Sequence, residues 1–341
     1  MNDFAAPHPS RDPTPPALAT PVSVALCVYN GAAWLPAQLA SVLAQEGVDL
    51  EIVALDDAST DGSLEVLQAH AARDPRIKVF SNDRNLGHVK SFERCIGLCR
   101  EALIAPCDQD DLWHPRKLAT LVAAMGDADL AYCDSEYIDA QGQSLARRVS
   151  DDIGPMHGGD GKPCRDPLRF VFKNTVSGHA MLVRRSVFES AKPFPALLYH
   201  DWWMALRAAA GGGVMYVDEA LVQFRRHDRA ASPMGTRASG LRRKRSSSHN
   251  RKWLAQWEYV FDNLRSVEWF PHRVSADWYV ALRSAEHGHV RRLWTAIWRW
   301  RASVPPYDLP RWWAAVRFWA KCANKVLRSR RERGFEGPLF K

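Results

Sequence analysis

The 341-residue chain is 46% hydrophobic and 25% charged, enough for one large packed domain with a smaller appendage. Its seven cysteines form no CxxC pair and no His/Cys cluster with zinc spacing, which argues against a disulfide framework and for a reducing compartment. The formal charge of +8 hides a division: residues 242–341 hold 22 Lys and Arg against 8 Asp and Glu, a net of +14, and ten of the 14 tryptophans, while the preceding residues net −6.

Residues 1–21 carry six prolines and read as a disordered lead-in, with no apolar run of signal-peptide type. Val22 to Val28 is a β-branched, apolar run that stops at the turn signal Tyr29-Asn30-Gly31. Apolar residues at 35, 39, 42 and 43 then take helical spacing. Leu50 to Leu55 predicts a second strand ending in Asp56-Asp57, residues 64–71 a helix, and Ile77 to Phe80 a third strand. Val89 to Arg100 reads as helix, and Ala102 to Cys107 as a fourth strand running into Asp108-Gln109-Asp110-Asp111. This alternation predicts βαβ units and a mostly parallel sheet, in which ligands bind beyond the carboxyl ends of the strands. The polar clusters stand at those ends.

Residues 140–166, rich in Gly and Asp, read as a long loop. Beyond it come a strand at Ala180–Val183, a helix at Trp202–Ala210 and two short strands at 214–217 and 221–224. Residues 233–250, with Arg242-Arg243-Lys244-Arg245, read as a basic linker, and 251–341 as helical. In the last helix Trp312, Val316, Trp319, Ala323 and Val326 recur at i+3 and i+4 steps, which predicts one apolar face. No segment has the length and apolarity of a spanning helix.

Clustered carboxylates at the end of a rigid strand repel one another unless a cation or hydrogen bonds compensate. Mg2+ or Mn2+ is commonly held by one or two such groups with phosphate oxygens completing the shell. An acidic helix N-terminus, with Asp111 as cap, is the plainer reading of the same residues. Asp201 alone would likewise read as a first-turn helix acid.

Seven stretches in order decide between these readings: VSVALCVYNG (22–31), LDDASTDGS (55–63), NLG (85–87), CDQDDLWHPRKL (107–118), SGHAMLVRR (177–185), HDWWMALRAAAGG (200–212) and LVQFRRH (221–227). Across residues 22–232 the chain resembles a family 2 glycosyltransferase of the bacterial rhamnosyltransferase type. The resemblance implies an α/β GT-A fold, Rossmann-like, with a mostly parallel sheet flanked by helices; the C-terminal helical extension falls outside it. It implies Asp108 and Asp110 as the metal pair for Mg2+ or Mn2+, with Asp111 as a substitute. It implies Tyr29, Asn30, Asp57, Gln109, Arg225 and His227 on the nucleotide-sugar donor, a dTDP- or UDP-sugar. It makes Asp201 the catalytic base, a carboxylate that takes the proton of the acceptor hydroxyl. Gly178, His179, Trp202 and Trp203 would face a saccharide acceptor, lipid-linked in such enzymes. Phe224, Arg226, Asp228 and Ala230 depart from the residues usual at those positions, which bears on the donor sugar.

Three other readings compete. A nucleic-acid binder would explain the basic tail, but no recognition motif accompanies it and no nucleic acid is expected. A glycoside hydrolase needs two carboxyls flanking one bond and no diphosphate site. A catalytically inactive relative would not need an acid at every matched position. The tail's tryptophans interleaved with arginines suit peripheral contact with an anionic membrane, placing the enzyme in the cytoplasm at the inner face of the cytoplasmic membrane. Packing of the tail on the catalytic domain is the alternative.

Overall fold

The computed structural model describes residues 19–154, 156–227, 248–286, 289–305 and 309–329. The proline-rich lead-in up to residue 18 and most of the basic linker lie outside them. Three βα steps and a fourth strand open the described chain. They are β1 (Thr20–Val28), α1 (Leu35–Leu43), β2 (Val48–Asp56), α2 (Ser63–Ala71), β3 (Ile77–Ser81), α3 (His88–Leu98) and β4 (Leu103–Cys107). The short β5 (Leu112–Trp113) follows the acidic turn, and α4 (Lys117–Met125) leads to β6 (Leu130–Ile138). Next come β7 (Ser144–Arg148), α5 (Val149–Ile153), α6 (Pro167–Phe172), β8 (Met181–Arg184), α7 (Arg185–Ala191), α8 (His200–Ala209) and β9 (Val214–Arg225).

The strands form one nine-stranded sheet in the order β3-β2-β1-β4-β8-β6-β9-β5, with β7 on β6. Pairing is parallel across β3-β2-β1-β4 and between β6 and β9, as the βα alternation requires. It is antiparallel where β8 joins β4 to β6, where β5 meets β9 and where β7 meets β6. The order reverses between β1 and β4, so a crevice opens beyond Val28 and Cys107, where Tyr29 and Asp108 follow. The expected long loop at 140–166 contains β7 and α5. These were illegible because β7 is a largely exposed edge strand, SLARR, without an apolar alternation. The two expected strands at 214–217 and 221–224 are one, β9, interrupted by register shifts against β6.

Alternate strand residues feed two cores, because successive side chains of a strand point to opposite faces. Val24, Leu26, Ile52 and Ala54 pack against α1, α2 and α4. Ala25, Val53, Leu55 and Ile104 pack on the other face with α3, α6, α7 and α8. This second core does not end with the sheet. It continues into α9 (Ser248–Arg265), α10 (His272–Glu286), α11 (Val290–Arg299) and α12 (Arg311–Ser329). Phe172 stands at the junction, 4.9 Å from the Trp257 ring, 4.8 Å from Trp278 and 5.2 Å from Phe318, centroid to centroid. The tail therefore packs on the sheet domain through part of its tryptophan set. In α12 the buried side is Ala314, Ala315, Phe318, Cys322, Ala323 and Val326, so the expected face is met at Ala323 and Val326. The face read from sequence is rotated from this, since Trp312 is 58% exposed. No helix among the described residues is long and apolar enough to cross a membrane.

Candidate active site

Three polar turns converge at the carboxyl ends of β1, β2 and β4. Asn30 takes a left-handed backbone, φ 52°, and is spent on the turn: its amide donates to Ser59 Oγ at 2.9 Å and its Oδ1 accepts from the Thr60 amide at 2.9 Å. Gln109 ties β4 to β1, accepting from the Tyr29 amide at 2.7 Å and donating to the Tyr29 carbonyl at 3.1 Å. A Cβ at Gly31 would lie 2.4 Å from Gln109 Oε1, which is why this position has no side chain. Asp57 is buried and accepts from Asn82 Nδ2 at 2.6 Å and from the Leu86 and Gly87 amides at 2.8 and 3.0 Å. Its carboxylate thus shapes the Asn85-Leu86-Gly87 turn that starts α3.

The acidic run divides into an outer and an inner pair. Asp108 and Asp110 face the cleft, with 32% and 16% of their side chains exposed. Burial, reinforced by the charges of Asp110 and Asp201, pushes the Asp108 carboxyl up to about 7. Asp110 Oδ2 lies 2.8 Å from His227 Nε2, and the His227 ring stacks on Trp34 at 4.1 Å. Asp111 is fully buried; Oδ1 accepts from the Arg225 amide at 3.0 Å, and Oδ2 has no hydrogen-bond partner. Burial raises its carboxyl well above the usual range, as do Asp110 and Asp108.

The inner side holds a counter-charge that the sequence reading missed. Lys117 is completely buried, donates to the His179 carbonyl at 2.6 Å and sits 3.1 Å over the Trp113 ring. Burial draws its ammonium down to about 8, against the pull of nearby Cys133, Cys107, Asp111 and Asp108. His179, expected on the acceptor, is largely buried on the inner side of the carboxylates and reaches the cleft only at its lining. Its Nε2 meets Ser135 Oγ at 2.9 Å, its ring stacks on Phe224 at 4.3 Å, and its Nδ1 is 3.8 Å from both Asp108 Oδ2 and Asp111 Oδ2. Burial, then Lys117, hold this imidazole neutral, with its pKa lowered to about 3.

Ligand atoms of Asp108, Asp111 and His179 all lie within 4.8 Å of one another, a donor set that fits a small divalent cation. Asp108 therefore has cation-compatible neighbours on both sides: Asp110 toward the cleft, Asp111 and His179 toward the core. On the core side Lys117 already supplies positive charge. The cleft side has the mutually repelling carboxylates and room for phosphate.

Asp201 sits in the first turn of α8, across the cleft. Its Oδ2 accepts from the Gly178 amide at 3.0 Å and its Oδ1 from the Trp202 amide at 2.5 Å. Burial lifts its carboxyl to about 6 against these hydrogen bonds, which leaves it ionised at neutral pH yet basic enough to take a proton. A Cβ at Gly178 would come within 2.7 Å of His200 Nε2, so glycine lets the His200 ring lie against this turn. His200 and its neighbour His88 gave no sequence signal. His200 is 2% exposed, stacks on Phe92 at 3.9 Å, and neither ring nitrogen has a hydrogen-bond partner; burial, then His88, lower its pKa well below the usual value.

Tyr29, Asp57, Asp108, Gln109, Asp110, Gly178, His179 and Asp201 line one cavity of about 510 Å³. Larger open depressions, about 850 and 760 Å³, lie away from Asp108 and Asp201. Asn30, Arg225, His227, Trp202 and Trp203 stand outside the cleft lining. Trp203 is a core residue, 1% exposed, donating to the Ala191 carbonyl at 2.8 Å; Trp202 donates to the Phe170 carbonyl at 2.8 Å. The expected acceptor-facing aromatic is thus not found in either. Arg225, expected on the diphosphate, is buried: Nε donates to the Asp110 carbonyl at 2.8 Å and Nη1 to the Asp139 and Ala140 carbonyls at 3.2 Å. The pairing of β5 with β9 brings it there.

A mixed sheet with its acidic cluster at the β1/β4 switch point and a carboxylate across the cleft defines a GT-A-type nucleotide-sugar fold. Residues 23–191 match the model of glycosyl transferase family 2, and this segment is a family 2 glycosyltransferase domain. An uncharacterized glycosyltransferase of Haemophilus influenzae is 27% identical over 225 residues, 62% of this chain and 67% of that protein. The succinoglycan biosynthesis protein ExoO of Rhizobium meliloti is 33% identical over 135 residues, and there the match spans only 38% of either chain. Among solved structures, S. aureus TarS in complex with UDP-GlcNAc superposes over 92% of both chains with a TM-score of 0.55 at 13% identity. The mannosyltransferase PcManGT of Pyrobaculum calidifontis, in complex with GDP-Man and Mn2+, gives 0.51 at 16% identity, covering 94% of this chain and 88% of that one. At such identities the two structures establish the fold.

Proposed function

We propose that the chain is an inverting, cation-dependent hexosyltransferase. It moves a sugar, L-rhamnose from dTDP-rhamnose in the reading favoured by sequence resemblance, to a lipid-linked saccharide of a bacterial surface polysaccharide. The observation that carries this is the placement of Asp201 across one cleft from Asp108 and Asp110, with its carboxyl raised to about 6 and two backbone amides fixing its orientation. Asp201 takes the proton of the acceptor hydroxyl as that oxygen attacks the anomeric carbon from the face opposite the nucleoside diphosphate. A divalent cation held by Asp108 and Asp110 would supply Lewis-acid neutralisation of the departing diphosphate. Tyr29 and Asp57 border the nucleobase end of the cleft, and Gln109 fixes the Tyr29 backbone there.

The relatives support a role in polysaccharide assembly, since ExoO is a succinoglycan biosynthesis protein and another matched protein is a chondroitin synthase. A UDP-sugar is the second reading of the donor, favoured by the UDP-GlcNAc complex of TarS. The site of action is the cytoplasmic face of the membrane, reached by peripheral contact. The test is hydrolysis and transfer with a panel of dTDP-, UDP- and GDP-sugars, each with and without EDTA. Turnover of one pyrimidine donor that stops with EDTA is expected. Turnover that persists in EDTA removes the cation from the scheme, and no turnover of any sugar nucleotide refutes the transferase reading.

A further inference from the structure

Two C-terminal helices keep an outward surface that the shared core leaves bare. α11 and α12 together contain eight Lys or Arg and no Asp or Glu. Their inner sides are satisfied: Leu293, Ala296, Ile297, Ala315 and Phe318 belong to the core. Their outer sides carry Trp298, Trp312 and Trp313, which are 42%, 58% and 43% exposed. The rings are neighbours in pairs, Trp312 against Trp313 at 5.3 Å and Trp294 against Trp298 at 5.5 Å. Between the helices runs a groove of about 540 Å³, lined by Val290, Trp294, Val316 and Trp319, with Arg291 and Thr295 as its polar members. Arg311, Arg317 and Lys321 are exposed on the same helix as Trp312 and Trp313.

Solvated helix faces do not gather three large indoles, because each exposed ring orders water without return. Arg299 is paired with Asp277 of α10 at 2.8 Å, and a face whose own two helices otherwise add cations and no carboxylate suits an anionic partner. The groove offers apolar walls and few hydrogen-bonding groups, so it suits acyl chain rather than base edges. Indole rings favour the headgroup level of a bilayer, and Arg and Lys meet lipid phosphates there.

We propose that the outer face of α11 and α12 is the surface that docks on an anionic bilayer. Trp298, Trp312 and Trp313 enter the headgroup region, an acyl segment enters the groove, and Arg311, Arg317 and Lys321 meet lipid phosphates. This deepens the peripheral contact proposed above by locating it, and it frees Trp257 and Trp278 for the core. It does not depend on the chemistry assigned to the cleft.

The full chain is mixed with phosphatidylcholine vesicles, with and without phosphatidylglycerol, at low and high salt; co-sedimentation and tryptophan emission are read. The expected result is binding that requires phosphatidylglycerol, weakens with salt and blue-shifts the emission. The double variant Trp312→Ala/Trp313→Ala should bind at least tenfold more weakly, and Arg311→Gln and Arg317→Gln each roughly fivefold more weakly. Both tryptophans lie on the surface, so the variant keeps the wild-type melting midpoint. Equal binding by wild type and double variant overturns the proposal, as does binding indifferent to lipid charge. Loss of a dimer in the double variant, with no effect on vesicles, assigns the face to a second copy and overturns it too. A chain that docks as described but transfers no sugar upholds this inference and sinks only the transferase reading.

Discussion

Replacing Asp201 with asparagine isolates the proposed base, because the change keeps the side chain's size while removing its charge. General-base loss costs about two to four decades of rate, or roughly 2.7 to 5.4 kcal/mol of barrier. Asp201 gives each oxygen a backbone donor, the amides of Gly178 and Trp202. Asparagine can accept only one of them and turns its NH2 toward the other, which adds about 1–3 kcal/mol of mispairing. The pH profile carries the sharper information. With the carboxyl at about 6, roughly nine-tenths of the enzyme is in the base form at pH 7 and one-tenth at pH 5, so wild-type kcat/KM should fall about tenfold between them. In Asp201→Asn, measured at saturating Mn2+ so that protonation of Asp108 does not limit the rate, that acid limb should vanish from whatever rate remains. The assay is initial-rate transfer from pH 5 to 8, with donor affinity measured separately. A variant that keeps more than a tenth of the wild-type rate, or retains the acid limb, refutes the base assignment.

Other outcomes follow from the same geometry. Asp108 is raised to about 7 in the fold, so it costs the apo protein stability progressively as pH climbs from the unfolded carboxylate range through 7; added Mn2+ should raise the melting midpoint more at pH 8 than at pH 5, and equal shifts would dissociate the cation from Asp108. Trp278→Ala removes a fully buried ring that stacks on Phe261 and meets Phe172 edge-on, and should cost about 3–5 kcal/mol in a single urea transition. Two separable transitions, or a loss below about 1 kcal/mol, would show that the tail is not part of the common core. His200→Phe keeps the stack on Phe92 and deletes two unpartnered buried nitrogens, so its melting midpoint should be unchanged or higher; a lower midpoint would mean that the ring makes a stabilising polar contact.

What the sequence disclosed was local. A β-branched run ending in Tyr29-Asn30, Asp56-Asp57 or Asp108 to Asp111 places its own polar end, and the βα alternation gathers those ends at one crevice. What it hid depends on pairings between distant strands. The family resemblance implies Arg225 as a diphosphate contact, yet the β5–β9 contact buries it among carbonyls of Asp110, Asp139 and Ala140. Lys117 follows Arg116 and looks like one more surface cation of a helix start; only the fold around the acidic run shows that it is enclosed. The inner face of α12 was misjudged by a fraction of a turn, because tryptophan counts as apolar in any periodicity although here Trp312 and Trp313 look outward. His88 and His200 have no pattern of their own, being joined only by the approach of α3 to α8.

The ring of Trp203 lies 5.1 Å from that of Trp269 in the tail, and its neighbour in sequence, Trp202, is fastened to α6. Both stand directly beside Asp201 on α8. The carboxylate proposed as the base is therefore mounted on a helix held from behind by the tail. A chimaera that grafts a different tail onto residues 19–227 would have to bring matching outer surfaces for α6 and α8 with it, or the base would lose its footing. Exchange of specificity between relatives of this kind should run through the cleft loops, with the tail inherited as a unit together with the two helices it grips.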